Sequence, residues 1–274
     1  IISIGNIFQA LDTIGLLYQA EVKSKFIVKS KFIAFLIVSI LKIVFILNEA
    51  SVIIFAILSL IEIVLGTLGL LFTYRRNIFK FGLSISLVKK FLSMSWPIVL
   101  SMICIAIYMR ADQIIIAKFL DEYMTGIYLS ATKLSEIAYF IPYVIINSIT
   151  PFLVSNYSTD KSVYFEKIQR LFDILVLASY FIVILTVIFS RFFIMVLYGD
   201  KYIGAEIILG LHIWTLVFVS IGVAFRQIMI IENKMMFLLM TTIIGSISNI
   251  LLNISLIPYW GVYGAIFSVI LSQS

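Results

Sequence analysis

The chain has 274 residues, of which 62% are hydrophobic and 12% are charged, and its mean hydropathy is +1.16. Soluble domains carry roughly a quarter charged residues, so the composition excludes an ordinary soluble protein. A net charge of +6 would favour nucleic-acid binding in a soluble chain. Here the basic residues lie in short stretches between apolar runs, where they indicate membrane topology instead.

The apolar runs predict about seven or eight membrane-spanning helices, since each run approaches the roughly 20 residues that a span needs. A weak apolar segment at 1–17 is interpreted as the tail of a helix. The predicted spans that follow are 32–47, 50–72, 93–118, 123–154, 171–197, 204–230, 235–257 and 260–272. The run 123–154 is long and contains Pro142 and Pro151, which predicts a tilted or kinked helix. Either a gating bend or a static kink fits these two prolines equally well.

The distribution of basic residues predicts the orientation of the spans. Thirteen of the twenty Lys and Arg residues lie in alternate connectors, at 18–31, 73–91, 155–170 and 232–234. The intervening turns hold three, namely Lys118, Arg191 and Lys201. Because cytoplasmic loops are enriched in Lys and Arg, the basic connectors are predicted to face the cytoplasm.

The connector at 73–91 is the predicted boundary between two groups of helices. Residues 1–80 are expected to form a partial N-terminal bundle, and residues 81–274 a C-terminal bundle of six spans. The fold class is therefore predicted as an all-α, polytopic membrane helix bundle. Two bundles around a central site is a common plan among transporters.

Cations inside the spans are the first candidates for a functional site, because a charge in hydrocarbon costs roughly 2.5–3.5 kcal/mol on insertion scales. Arg110 and Lys133 lie at similar predicted depth on neighbouring spans, Lys133 about 10 residues or roughly 15 Å from the start of its span. Gln113 shares a helix face with Arg110. We expect a partly basic cavity that attracts a phosphate or diphosphate.

Three acidic side chains are candidates for charge balance or for coupling to H⁺ or Na⁺, namely Asp112, Glu136 and Glu62. Lys133 and Glu136 are three residues apart, so an ion pair within one helix is the alternative to a transport role. Glu62 lies mid-span and needs a partner, a proton or water. Lys42 lies near the end of its span, where it either reaches the headgroups or joins the substrate-binding cations.

Motifs for catalysis or for a cofactor are absent from the sequence. It contains no paired-carboxylate, nucleophile or glycine-rich phosphate-loop pattern, and the single Cys104 and single His212 cannot form a dedicated metal site. His212, on an apolar helix, is expected to be packed rather than catalytic. The sequence therefore predicts a non-enzyme without metal or cofactor, and the position of the basic residues in the loops indicates membrane topology and no nucleic-acid partner.

Five segments carry a resemblance to a known family. They are FQALDTIGLLYQAEVKSK (8–25), SMSWPIVLSMICIAIYMRADQIIIAKFL (93–120), TGIYLSATKLSEIAYFIPYVIINSITP (125–151), YGDKYIGAEIIL (198–209) and IPYWGVYGAIFSVI (257–270). They resemble the Wzx-like polysaccharide repeat-unit (O-antigen) flippases of the multidrug/oligosaccharidyl-lipid/polysaccharide exporter superfamily. The chain is similar to spans five to twelve of that family with the tail of span four, so the first bundle is expected to be truncated.

The resemblance implies transport of undecaprenyl-diphosphate-linked oligosaccharide across the bacterial inner membrane by alternating access, for O-antigen, lipopolysaccharide or capsule biosynthesis. It also implies an H⁺ or Na⁺ gradient as the driving force and a polysaccharide polymerase as a partner. Arg110, Asp112, Lys133 and Glu136 fall in the matching segments. The alternatives are a drug/cation antiporter of the same superfamily, which would need a more acidic cavity, and a membrane polymerase or ligase, which would need large outer loops.

Overall fold

The computed structural model describes residues 13, 15, 18, 25–48, 50–73 and 84–273. Within these ranges the chain is helical and contains no strand, so the predicted all-α membrane bundle is confirmed. The helices are α1 Lys25–Leu47, α2 Val52–Thr73, α3 Ile85–Phe119, α4 Glu122–Ala138, α5 Phe140–Thr159, α6 Lys161–Tyr198, α7 Ala205–His212, α8 Thr215–Ile231, α9 Met235–Trp260 and α10 Val262–Gln273, with a short 3₁₀ turn at Asp200–Tyr202.

Seven of the described helical stretches are long and apolar enough to cross a membrane. In lipid every backbone N–H and C=O must be satisfied within the segment, which favours helices for such runs. Two of the seven stretches are each made of two helices, Glu122–Thr159 from α4 and α5, and Ala205–Ile231 from α7 and α8. The last helix, α10, has 12 residues and is shorter than a full span.

Helices extend into segments that the sequence predicted as polar connectors. In the predicted connector 155–170, Asp160 is the single residue between α5 and α6. Its carboxylate accepts hydrogen bonds from the backbone N–H groups of Ser162 (2.9 Å) and Val163 (3.1 Å), so it caps the start of α6. Hydropathy indicates where a helix leaves the hydrocarbon core, not where its helical backbone ends. The predicted spans are therefore shorter than the observed helices.

The chain divides into two compact units, Ile1–Ser84 and Ile85–Ser274. In the first unit, α1 and α2 pack against each other. Ala34 and Val38 on α1, and Leu58 and Leu70 on α2, are buried. The rest of α1 is largely exposed and most of the rest of α2 is half-buried or exposed, and both surfaces are mainly apolar, as expected for surface in contact with lipid.

In the second unit, the continuous helix α6 packs beside both broken spans. Their first halves, α4 and α7, share an apolar cluster with parts of α3, α6, α9 and α10 that contains Tyr128 and Leu209. Their second halves, α5 and α8, share another cluster with α6 that contains Leu153 and Leu171. The apolar core of the second unit thus forms two layers, which follow one another along the helix axes.

Both breaks occur where the two layers meet. Tyr139 interrupts the first broken span, with its N–H bonded to Glu136 O at 3.1 Å in place of the usual i−4 carbonyl. Pro142 follows in the first turn of α5, where its ring would clash with the Ala138 carbonyl of a continuous helix. Ile213 and Trp214 form the second break, and Tyr139, Ile213 and Leu216 belong to one buried cluster. The predicted kink is confirmed and lies three residues before Pro142, whereas Pro151 lies inside α5.

Candidate functional site

Arg110 lies on the exposed surface of the second unit, in the last third of the 35-residue helix α3. Its Nη1 donates a hydrogen bond to Gln113 Oε1 at 3.3 Å, one turn further along the helix. Gln113 therefore orients the guanidinium of the exposed Arg110 side chain. The two residues share a face, as their spacing predicts.

Asp112 points the opposite way and is buried, at 6% exposure. Its carboxylate accepts hydrogen bonds from the Tyr128 hydroxyl on α4 and from the Gln113 backbone N–H at 2.7 Å. These contacts join α3 to α4 and give a buried carboxylate two donors. Asp112 and Arg110 thus stand on different faces, and the structure does not bring their charged groups together.

Lys133 and Glu136, both on α4, do not form the ion pair that their spacing allows. Lys133 is exposed and Glu136 is partly buried, and no ion pair joins their described side chains. Lys133 therefore keeps its charge on the surface of the second unit, as Arg110 does.

Lys42 and Glu62 form an ion pair within the first unit. Lys42 Nζ on α1 lies 2.9 Å from Glu62 Oε2 on α2, and each side chain is 30% exposed. The pair supplies the partner that mid-span Glu62 needs. The sequence analysis assigned the two residues to separate roles and did not predict this contact, because nothing in a single sequence sets the register of α1 against α2.

Hydrogen bonds connect the two broken spans at their breaks. Tyr139 Oη lies 2.7 Å from Thr215 Oγ1, and Ser135 Oγ lies 2.6 Å from His212 Nδ1. Because the Thr215 hydroxyl donates to the His212 carbonyl, the Tyr139 hydroxyl donates to Thr215. His212 is buried at 4% exposure, so it is packed as predicted, with a polar partner on the neighbouring span.

A cavity of about 770 Å³ lies inside the second unit, beside the second halves of the broken spans. Its volume falls within the ~300–1,000 Å³ of small-molecule sites. Side chains of α3, α5, α8, α9 and α10 form its wall, together with Tyr139 from the first break. Most of the wall is apolar or aromatic, with Tyr108, Tyr143 and Phe225 among the larger side chains. Arg110 and Lys133 are not among the lining residues; Arg226 is the cation there.

Two polar atoms at this cavity lack a hydrogen-bond partner. Arg226 Nε and Gln273 Oε1 are both buried and unbonded in the described part of the chain. Ser272, next to Gln273, instead accepts a hydrogen bond from Asn249 Nδ2 at 2.9 Å, which joins α9 to α10. Buried polar atoms without partners are uncommon in native structures.

The sequence analysis did not select Arg226 as a site residue. One feature of the sequence could have drawn attention to Arg226. The residues three and four positions away along the helix, Gly222, Val223, Met229 and Ile230, contain no acid to neutralise it. For Gln273 no comparable signal exists, because an amide in a span is usually satisfied by a neighbouring helix.

These features define a multi-pass helical membrane protein with an internal cavity. The sequence model of the polysaccharide biosynthesis protein family matches residues 1–207. The chain therefore belongs to that family. No curated protein and no solved structure matches the chain.

Proposed function

We propose that the protein moves a lipid-linked oligosaccharide repeat unit across the cytoplasmic membrane during surface polysaccharide biosynthesis. The observation that carries this proposal is the 770 Å³ cavity within a helical membrane unit of a polysaccharide biosynthesis family. A cavity that large can take up a polar group which lipid would otherwise exclude. The proposed cargo is the undecaprenyl-diphosphate-linked unit of O-antigen or capsule, in a bacterial inner membrane.

The exposed cations have a role in this proposal. Arg110 and Lys133, with Gln113 orienting Arg110, attract the diphosphate or an acidic sugar to the second unit. Their long side chains carry charge without an ion partner among the described residues. Lys42 is proposed to bind cargo as well, when its ion pair with Glu62 opens.

The acidic side chains and the prolines are assigned to energy coupling and to movement. Asp112, Glu136 and Glu62 are proposed to balance charge or to bind H⁺ or Na⁺ as the protein alternates between its two open states. Pro142 is proposed to keep the first broken span bendable at Tyr139, and Pro151 to weaken α5 one helical turn or more further on. The protein is proposed to act as a carrier, not an enzyme, in company with a polysaccharide polymerase.

The test compares cells lacking the protein with cells that express it or its variants. Deletion should remove the surface polysaccharide and cause the lipid-linked repeat unit to accumulate. Arg110→Gln should restore much less polysaccharide than the unmodified protein at equal protein level, because the cargo loses a charged contact. Arg191→Gln is the matched control, since Arg191 is an exposed arginine of α6 away from the cavity. Normal surface polysaccharide in the deletion strain would refute the function.

The cavity argues against export of cationic drugs. Its charged lining residue is Arg226, which repels a cation. A drug/cation antiporter would instead need an acidic group in that wall. Unchanged drug resistance in the deletion strain, together with lost polysaccharide, is the result that we expect.

A further inference from the structure

A groove of about 370 Å³ lies between the two helices of the first unit, α1 and α2. Its polar lining residues are Lys29 and Ser30, and the other lining residues have no polar side chain. Among them Ile33 and Ile37 of α1 and Leu65 of α2 are exposed. The apolar lining can therefore be reached from outside the first unit.

The groove runs beside a close contact between the two helices. A Cβ added to Gly69 of α2 would lie 3.1 Å from Ser30 Cβ of α1. Glycine at such a position lets two backbones approach closely inside a membrane. Larger apolar side chains line the groove beside this contact, so its surface is a narrow apolar channel along the helices.

The length of the groove matches one half of a membrane. Its lining residues on α1 extend from Phe26 to Ile37, which is roughly 16 Å along the helix axis. Half of the hydrocarbon core of a typical bilayer is ~15 Å thick, which is the depth that the acyl chains of one leaflet occupy. A single acyl chain can therefore lie along the whole groove.

Lys29 places a cation near one end of this apolar groove. Its side chain is exposed and forms no ion pair with any acidic side chain that the structure describes. Further along α1, Lys42 is paired with Glu62, so its charge is balanced. The distribution of basic residues predicts that the Lys29 end of α1 faces the cytoplasm, where the membrane leaflet carries anionic lipids.

We propose that this groove binds an anionic phospholipid of the cytoplasmic leaflet. The Lys29 ammonium pairs with the lipid phosphate, and one acyl chain lies against Ile33, Ile37 and Leu65. One lysine balances the single negative charge of a phosphodiester, whereas the diphosphate of the proposed cargo carries more charge than Lys29 balances. The inference goes beyond the proposed function and does not depend on it.

The binding test uses native mass spectrometry of the purified full chain in detergent. The probes are phosphatidylglycerol and phosphatidylcholine with the same acyl chains. We expect phosphatidylglycerol to bind about fivefold more tightly, the factor that corresponds to one lysine beside an anionic headgroup. Equal affinity for the two phospholipids, or no bound phospholipid, would overturn the proposal.

Two competitors distinguish the phospholipid from other sources of phosphate. Inorganic phosphate should not displace phosphatidylglycerol, because it has no acyl chain to fill the groove. Undecaprenyl phosphate should bind less tightly than phosphatidylglycerol. Displacement by inorganic phosphate would show that the groove plays no part, and tighter binding of undecaprenyl phosphate would assign the groove to the cargo. Either result would overturn the proposal.

A pair of charge variants assigns the headgroup contact to Lys29. Lys29→Gln should abolish the preference for phosphatidylglycerol over phosphatidylcholine, and Lys29→Arg should keep it. Lys90→Gln is the matched control, because Lys90 is an exposed lysine at the start of α3, on the same predicted side of the membrane and outside the groove. An equal loss of preference in Lys29→Gln and Lys90→Gln would contradict the site.

A pair of steric variants tests the acyl-chain part of the groove. Ile33→Trp should fill the groove and weaken the binding of both phospholipids severalfold. Ile46→Trp is its control, since Ile46 is an exposed isoleucine of the same helix outside the groove. Equal phospholipid binding by the two variants would contradict the site. A dimer that Ile33→Trp disrupts would assign the groove to a second copy of the chain and would also overturn the proposal.

The lipid site and the proposed function can fail separately. If deletion of the protein removes surface polysaccharide but Lys29→Gln keeps the preference for phosphatidylglycerol, the lipid site is wrong and the function stands. If phosphatidylglycerol binds through Lys29 but deletion leaves the polysaccharide unchanged, the lipid site stands and the function is wrong.

Discussion

Gly264 lies where α10 turns back against the end of α9. A Cβ at this position would lie 2.5 Å from the Leu256 carbonyl oxygen and 2.6 Å from its carbon. Both are backbone atoms, so no side-chain rotation can relieve the contact. Gly261, in the turn itself, has φ of 58°, a left-handed conformation that glycine adopts without steric cost. The two glycines together allow α9 and α10 to be joined by a single residue.

Gly264→Ala should destabilise the protein by about 1–3 kcal/mol, the usual cost of forcing extra atoms into a packed region. Thermal unfolding in detergent measures the change. Gly210→Ala is the control, because its Cβ has open space and alanine favours helix. An equal or higher unfolding temperature for Gly264→Ala than for Gly210→Ala would show that α10 can shift away from Leu256.

Individual charged residues could be found from the sequence, but their partners could not. Arg110 and Gln113 were correctly placed on one helix face, because helical spacing alone decides that. The Lys42–Glu62 pair and the Asp112–Tyr128 hydrogen bond depend on how separate helices align. The unsatisfied state of Arg226 depends on the same alignment, since a missing partner is a property of every helix that packs around the side chain.

At the scale of helices, the two broken spans form a matched pair. Tyr139 and Thr215 lie at the start of the second halves, and their hydroxyls are 2.7 Å apart. The first halves pack on each other, and so do the second halves. A bend at one break would therefore strain the hydrogen bond to the other, which favours movement of α5 and α8 together. Tyr139 also lines the cavity, so such a movement would change its shape.

Tyr139→Phe and Thr215→Val should show a coupling free energy of about 0.5–1.5 kcal/mol in a double-mutant cycle. The reason is that each change alone removes the same hydrogen bond. Titration with sodium dodecyl sulfate gives the unfolding free energies of the unmodified protein, the two single variants and the double variant. Tyr123→Phe with Thr215→Val serves as the control pair, because Tyr123 is exposed at the start of α4. Coupling no larger than that of the control pair would mean that the two breaks are independent.

The number and order of the spans followed from hydropathy, because about 20 apolar residues are needed in each case. Pro142 predicted a kink in the long run 123–154, and α4 and α5 meet near it. The break at Ile213 and Trp214 has no proline and no glycine at the break itself. The residues on either side of it, His212 and Thr215, hydrogen-bond to Ser135 and Tyr139 on the other broken span, and a local pattern does not reveal such contacts.

At the scale of the whole chain, basic residues cluster at one set of helix ends. Lys161, Lys167 and Arg170 lie in the first turns of α6, and Lys89 and Lys90 in those of α3. The turn between α3 and α4 carries Asp121 and Glu122 instead. With the positive-inside rule, this contrast predicts that the start of α6 faces the cytoplasm and that the start of α4 lies on the other side of the membrane.

Cysteine labelling tests this orientation, because Cys104 is the only native cysteine. In a Cys104→Ser background, Glu122→Cys should react with a membrane-impermeant maleimide on intact cells. Ser162→Cys should react only after permeabilisation. Both positions are exposed, so accessibility reports the side of the membrane. The reverse pattern would place the basic helix ends outside and would contradict the predicted orientation.

The long helix α6 contains an almost uncharged stretch whose length can be compared with the thickness of a membrane. Arg170 and Arg191 bound a stretch in which Asp173 is the only charged residue, and Asp173 lies within one turn of Arg170. At ~1.5 Å per residue, the two arginines are roughly 31 Å apart along the axis, close to the ~30 Å hydrocarbon core of a typical bilayer. Because α6 packs on both broken spans, a thinner membrane must tilt them with it. Lipid chain length is therefore expected to influence the cavity without any lipid touching it.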